Sequence, residues 1–229
     1  MTLSPEELTA ILLSLKVAFV ATLGSLPFGV LIAWVLARKS FPGKALLDAV
    51  VHMPLILPPV VTGYLLLLLF GRRGVFGGFL SETFGIVLAF RWTGAALACA
   101  VMGFPLLVRA IRLSMEAVDP KLEQAGLTLG AHPALVFLTV TLPLSLPGIL
   151  AGIVLSFARA FGEFGATITF VSNIPGETQT LPTAIYTFTQ VPGGDAQALR
   201  LTLISIGIAA VALIASELLA RRMAKQVLA

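Results

Sequence analysis

The chain is predicted to be all-α: a polytopic membrane protein of about five transmembrane helices, with one short helix outside the bilayer. Three observations predict this. The sequence is 58% hydrophobic and only 11% charged over 229 residues, whereas soluble domains carry about 25% charged residues. Its mean hydropathy is +1.00. Uncharged apolar stretches of about 20 residues recur along it, long enough to cross a hydrocarbon core. The net charge of +4 does not point to nucleic acid, because Lys and Arg sit mostly at segment ends. No internal repeat is visible, and the chain reads as one membrane domain over residues 1–229.

The N-terminus, Met1 to Leu8, holds Glu6 and Glu7 and no basic residue, so no cleavable signal peptide is predicted. The first span runs from Val17 to Ala37, free of charge, in a helix that begins earlier. The second runs from Ala49 to Gly71 without Lys, Arg, Asp or Glu; Pro54, Pro58 and Pro59 interrupt it, and each removes a backbone N–H. The third covers Phe84 to Val108, with Arg91 and Trp92 as an interfacial anchor. The fourth runs from Ser145, read as a cap, to Phe161, and is expected to continue past it. A short helix over Thr183 to Thr189 and a last span over Leu201 to Leu219 complete the order.

Orientation follows from the basic residues. Arg38, Lys39 and Lys44, then Arg109, Arg112 and Lys121, then Arg221, Arg222 and Lys225 are all expected in the cytoplasm. Five spans satisfy this, with the N-terminus outside and the C-terminus inside. Arg72, Arg73 and Arg200 then lie outside, against the rule. They are read as candidates for docking an acidic partner or steering an anion, or as lipid anchors.

The stretch from Asp119 to Pro143 separates two spans. Asp119 is placed to cap a helix, Pro120 suits its first position, and Glu123 sits near the positive end of its dipole. Gly130 stops the helix and Pro133 opposes continuation. About ten residues should form a helix whose surface carries Leu127 and Leu129.

Gly130 is followed by nine residues and then Val140-Thr141-Leu142-Pro143. This resembles the cytoplasmic loop of bacterial ABC-importer permeases, whose consensus reads Glu-Ala-Ala, three residues, Gly, nine residues, Ile, one residue, Leu-Pro. Here Gln124 stands at the consensus Glu, with Glu123 one place earlier, Gly126 replaces the second Ala, and Val140 replaces Ile. Which side chain takes the role of that Glu is left open. In the family the loop, here about 116–143, is a coupling helix that docks on an ATPase subunit. The resemblance assigns that role to Glu123, Gln124, Ala125, Gly126, Leu127, Gly130, Leu142 and Pro143.

A second resemblance lies further on. Gly162-Glu163-Phe164-Gly165-Ala166-Thr167-Ile168-Thr169-Phe170, then Ser172-Asn173-Ile174-Pro175-Gly176-Glu177-Thr178, is similar to the molybdate group of the oxyanion permeases. Phe41-Pro42-Gly43-Lys44 and Leu57-Pro58-Pro59-Val60-Val61 extend it over most of the chain. Arg159 and Glu163, four apart, would share a helix face. Charges at membrane depth are costly, so the pair either fixes packing or belongs to the pathway. Pro58 and Pro59 make either a packing kink or a broken helix lining the path.

The resemblance implies a type I ABC-importer permease in the inner membrane. A homodimer would enclose the path, two ATPase subunits would bind inside, and a separate oxyanion-binding protein would deliver molybdate outside. Tungstate or sulfate are the close alternatives. A proton-coupled carrier with Glu163 as proton site is the distant one, disfavoured by the lack of a repeat. No phosphate-binding glycine loop is present, so ATP hydrolysis is expected on the partner, and no cofactor is implied. His52 and His132 lie far apart in sequence, so no metal site is expected. The lone Cys99 allows no internal disulfide.

Overall fold

The computed structural model describes residues 3–227, with side chains described through residue 215 and at 218. Among the described residues every regular element is helical. In chain order these are α1 (Pro5–Arg38), α2 (Lys44–Ile56), α3 (Pro59–Phe70), α4 (Val75–Phe84), α5 (Trp92–Ala117), α6 (Pro120–Thr128) and α7 (Pro133–Val136). A π-helical turn (Phe137–Thr141) leads to α8 (Leu142–Leu144), followed by α9 (Leu146–Phe161), α10 (Gly165–Val171), α11 (Leu181–Gln190) and α12 (Asp195–Val227). Three helices are long and apolar enough to cross a membrane alone, and two bent pairs bring the number to as many as five.

α1 starts on a reciprocal cap. The Glu7 N–H donates to Ser4 Oγ at 3.2 Å, and the Ser4 N–H donates to Glu7 Oε2 at 2.7 Å. This is the Ser-x-x-Glu capping box, with Pro5 at the first helical position. The helix has 34 residues, or about 51 Å at 1.5 Å per residue. It therefore outruns a hydrocarbon core of about 30 Å. Lys16 lies 3.6 Å from the Trp92 ring centre, a cation–π contact at the start of α5.

α5 is the central helix, packed against α1 on one side and α9 on the other. Two apolar clusters fill the bundle. Near the Pro5 end, Val17, Ala18, Ala95, Cys99, Met102 and Phe170 pack together. Near the Arg38 end, Ala33, Leu36, Leu107, Val108, Ile111 and Met115 do so. Lipid tails are as apolar as these side chains, so close fit rather than water exclusion drives the association. Small residues provide that fit. A Cβ at Gly148 would lie 2.1 Å from Ser114 Cβ, so only glycine lets α9 approach α5 there.

Several boundaries differ from the sequence expectation. The second span is not one helix: α2 and α3 meet at 115°, because Leu57 before Pro58 is extended, with ψ 143°. The third span begins at Trp92, not Phe84; Phe84 ends α4, Gly85 closes it at φ +66°, and α5 then runs on to Ala117. Ser145 takes the N-cap position of α9 but makes no side-chain cap bond. Its hydroxyl has no partner, and it sits at a 68° bend between Pro133–Leu144 and α9. Nor does that helix continue: Gly162 ends α9, and α10 is separate. The expected short helix over Thr183 to Thr189 is found as α11, and the last span begins earlier than expected, at Asp195. The tail's Arg221, Arg222 and Lys225 lie outside the described side chains.

Candidate coupling surface and translocation path

Asp119 caps α6 by accepting from the Lys121 N–H at 2.9 Å, and Pro120 takes the first position. At the other end the Leu129 N–H bonds the Ala125 carbonyl at 3.1 Å and the Ala131 N–H bonds the Gly126 carbonyl at 3.2 Å. Gly130 has φ +84°, the left-handed conformation such a helix end needs. His132 then caps α7 through its Nδ1, which accepts from the Ala134 N–H. Gly126 faces Val136, at 3.0 Å from where a Cβ would sit, so the replaced consensus Ala lies on the packed side.

The two faces of α6 differ. Gln124 and Ala125 are exposed, as are Leu122, Leu127 and Leu129, the last at 88%. Glu123 points inward: its Oε1 pairs with Arg38 Nε at 3.0 Å and accepts from the Thr141 hydroxyl at 2.6 Å. At the end of the motif Leu142 packs against the apolar cluster of the Arg38 end, while Pro143 is exposed. Pro143 has no N–H to give the Thr139 carbonyl. The chain widens there into the π turn, where the Leu142 N–H reaches back to the Phe137 carbonyl.

The second group of candidates converges on two elbows. Pro58 and Pro59 form the break between α2 and α3. Gly162, Glu163 and Phe164 form the break between α9 and α10. Gly165 lies against Pro59, and a Cβ on Gly63 would be 2.5 Å from the Ala166 carbonyl oxygen, so α3 and α10 touch backbone to backbone. Glu163 is 2% exposed. Its Oε2 pairs with Arg159 Nη1 and its Oε1 accepts from the Ala166 N–H at 2.8 Å. It thus caps α10 while neutralising Arg159.

Arg72, Arg73 and Arg200 are not equivalent. Arg200 is paired with the fully buried Glu7, at 2.7 Å from Nη2 and 2.9 Å from Nε to Oε1. Its charge is taken up in tying α12 to α1. Arg72 and Arg73 are exposed in the turn between α3 and α4, with no ion-pair partner among the described residues.

Sequence reasoning missed four groups. Arg38 was read only for its charge, and Thr141 not at all, although both hold Glu123. Asp48 accepts from Arg112 Nη1 at 3.0 Å and lies 3.3 Å from His52 Nδ1, while Arg112 Nε bonds Glu116 at 2.7 Å; this ties α2 to α5 across 64 residues and leaves no local signature. Glu7 did carry a signal, the capping box at Ser4.

The bundle of long and broken spans, with a short helix held at one end, matches that of transport-system membrane subunits. The chain belongs to the family described as binding-protein-dependent transport system inner membrane component, whose profile matches residues 25–225. It is 63% identical over 221 residues to the molybdenum transport system permease protein ModB of Escherichia coli, covering 96% of each chain. It is 58% identical to the Haemophilus influenzae ModB over 96% of each. To the sulfate transport system permease protein CysT of Salmonella typhimurium it is 39% identical, over 80% of this chain and 66% of that one. The fold matches the type I importer membrane subunits. The MetNI methionine ABC transporter aligns at TM-score 0.72 with 14% identity, over 93% of this chain and 94% of that one. An alginate ABC importer aligns at 0.71 with 19% identity, over 98% and 80%.

Proposed function

We propose that this chain is the permease subunit of an ABC importer that carries molybdate across the inner membrane. The observation that carries the reading is the 63% identity over nearly the whole length to a molybdenum permease. Two copies would enclose the path, two ATPase subunits would dock on the exposed face of α6, and a binding protein would deliver the anion at the Pro5 end. ATP binding would draw the coupling helices together and turn the path outward; hydrolysis would reverse it. This requires two states with different affinity for the ATP-bound partner. The coupling set is Gln124, Ala125, Leu127 and Leu129 outside, with Glu123, Gly126, Gly130, Leu142 and Pro143 shaping them. The elbows at Pro58, Pro59, Arg159 and Glu163 would border the path. Arg72 and Arg73 would meet the acidic rim of the binding protein.

Sulfate is the second reading, favoured by the 39% identity to a sulfate permease. The proton carrier is not favoured, since Glu163 is held by Arg159 and by a backbone N–H. The test is uptake into proteoliposomes holding the permease, its ATPase and its binding protein. Molybdate uptake is expected to need ATP and to withstand a protonophore. Sulfate transported faster than molybdate, or uptake without ATP, would overturn the reading.

The proposed topology has five spans, with the N-terminus outside and the C-terminus in the cytoplasm. Single cysteines replacing Arg73 and Ser172, in a Cys99→Ala background, are expected to react with an impermeant maleimide from the outer face. Reaction from the cytoplasmic face alone would reverse the assignment.

A further inference from the structure

Arg38 ends α1 beside α6, 85 residues before Glu123. Besides its bond to Glu123, its Nη2 donates to the Val118 carbonyl at 2.9 Å, just before the α6 cap. The Arg38 and Glu123 side chains are only 14% and 19% exposed. One carboxylate oxygen of Glu123 therefore joins three parts of the chain: the end of α1, the coupling helix, and the π turn that leads to α9. Trp34 of α1 meets Phe137 of the same turn edge to face, 5.8 Å between ring centres. Removing one partner of a shielded ion pair leaves the other charge uncompensated, so this junction opposes separation of α1 from α6.

We infer that Arg38 and Glu123 form a positioning latch that makes α1 and the coupling helix one moving body, so that Glu123 is a strut and not an ATPase contact. The neutral Gln124 then occupies the outward place beside Ala125, Leu127 and Leu129. The inference rests on the coupling role proposed above for α6. The latch carries movement of α6 to α1 directly, in parallel with the covalent route through Asp119 to α5.

The test uses the whole complex with its ATPase and binding protein in proteoliposomes. In Arg38→Gln and Glu123→Gln the ATPase is expected to stay bound, while molybdate moved per ATP hydrolysed falls roughly fivefold or more, the size of an ordinary coupling free energy. A merely structural role is separated by an R38C/E123C variant in a Cys99→Ala background. It should be uncoupled when reduced and recover coupling when a short bifunctional thiol reagent spans the two positions. Unchanged transport per ATP in Arg38→Gln, or a cross-link that arrests transport, would overturn the latch. So would loss of the ATPase from either Gln variant, because that would put Glu123 in the docking face. A Leu129→Asp control keeps the two readings apart. If it too retains the ATPase and transports normally, the coupling role of α6 falls, whatever the latch does.

Discussion

A Gly130→Val permease is expected to insert and pack its spans normally, yet to lose about tenfold or more in ATPase association and in transport. The residue has φ +84°, which L side chains oppose by about 1–2 kcal/mol, and a β-branched side chain is among the worst there. About 1.4 kcal/mol is a factor of ten. A Cβ at Gly130 meets nothing within 4 Å, so the cost is purely one of backbone conformation. It is relieved by changing how α6 ends, which moves Leu127 and Leu129, while the bundle is untouched. Gly130→Asn, which tolerates the left-handed region, should retain most function. Co-purification of the ATPase and uptake in proteoliposomes give the measurement. A Gly130→Val complex that assembles and transports like the parent would remove the coupling assignment.

Glu163→Ala is expected to abolish transport and to lower the thermal stability of the purified permease. It leaves Arg159 uncompensated and the Ala166 N–H without its acceptor, a loss of about 3–5 kcal/mol when a buried pair is broken from one side. The elbow between α9 and α10 would relax, and with it the contact of α10 on α3. Arg159→Ala combined with Glu163→Ala should melt above the single Glu163 variant, because no charge is then stranded. Glu163→Gln keeps an acceptor for the Ala166 N–H and should fall between. Additive losses in the double variant would show that the two side chains act independently.

The parts of this molecule that depend on neighbours in sequence were legible. Asp119, Pro120 and Gly130 announced both ends of α6, and hydropathy found where the apolar spans lie but not their ends, since α5 runs from Trp92 to Ala117 rather than from Phe84 to Val108. Pro58 and Pro59 announced a break but not its 115° angle, which goes with the close contacts of Gly63 on Ala166 and of Gly165 on Pro59. The ion pairs were illegible for the same reason. Glu7 and Arg200 are 193 residues apart, and nothing near either names the other. The expected topology marked Arg200 as unusual, but only its ion pair with the buried Glu7 of α1 shows what takes up its charge. Similarly, Glu123 and Gln124 are adjacent candidates for one consensus position, and the rotation of α6 about its axis decides which faces outward.

The length of α1 restricts how the molecule can move. Lys16, stacked on Trp92, and Arg38, bonded to Glu123 and Val118, are 22 residues apart, about 33 Å along a helix. That separation matches the hydrocarbon thickness of about 30 Å. The two cations act as bookends at the two interfaces. Sliding α1 along the membrane normal in either direction would drag one of them into lipid, and a change of bilayer thickness would strain both. A piston stroke of this helix would therefore be costly. Swivelling and tilting about a fixed depth is the movement expected of it, with the spans pivoting sideways like the staves of a barrel.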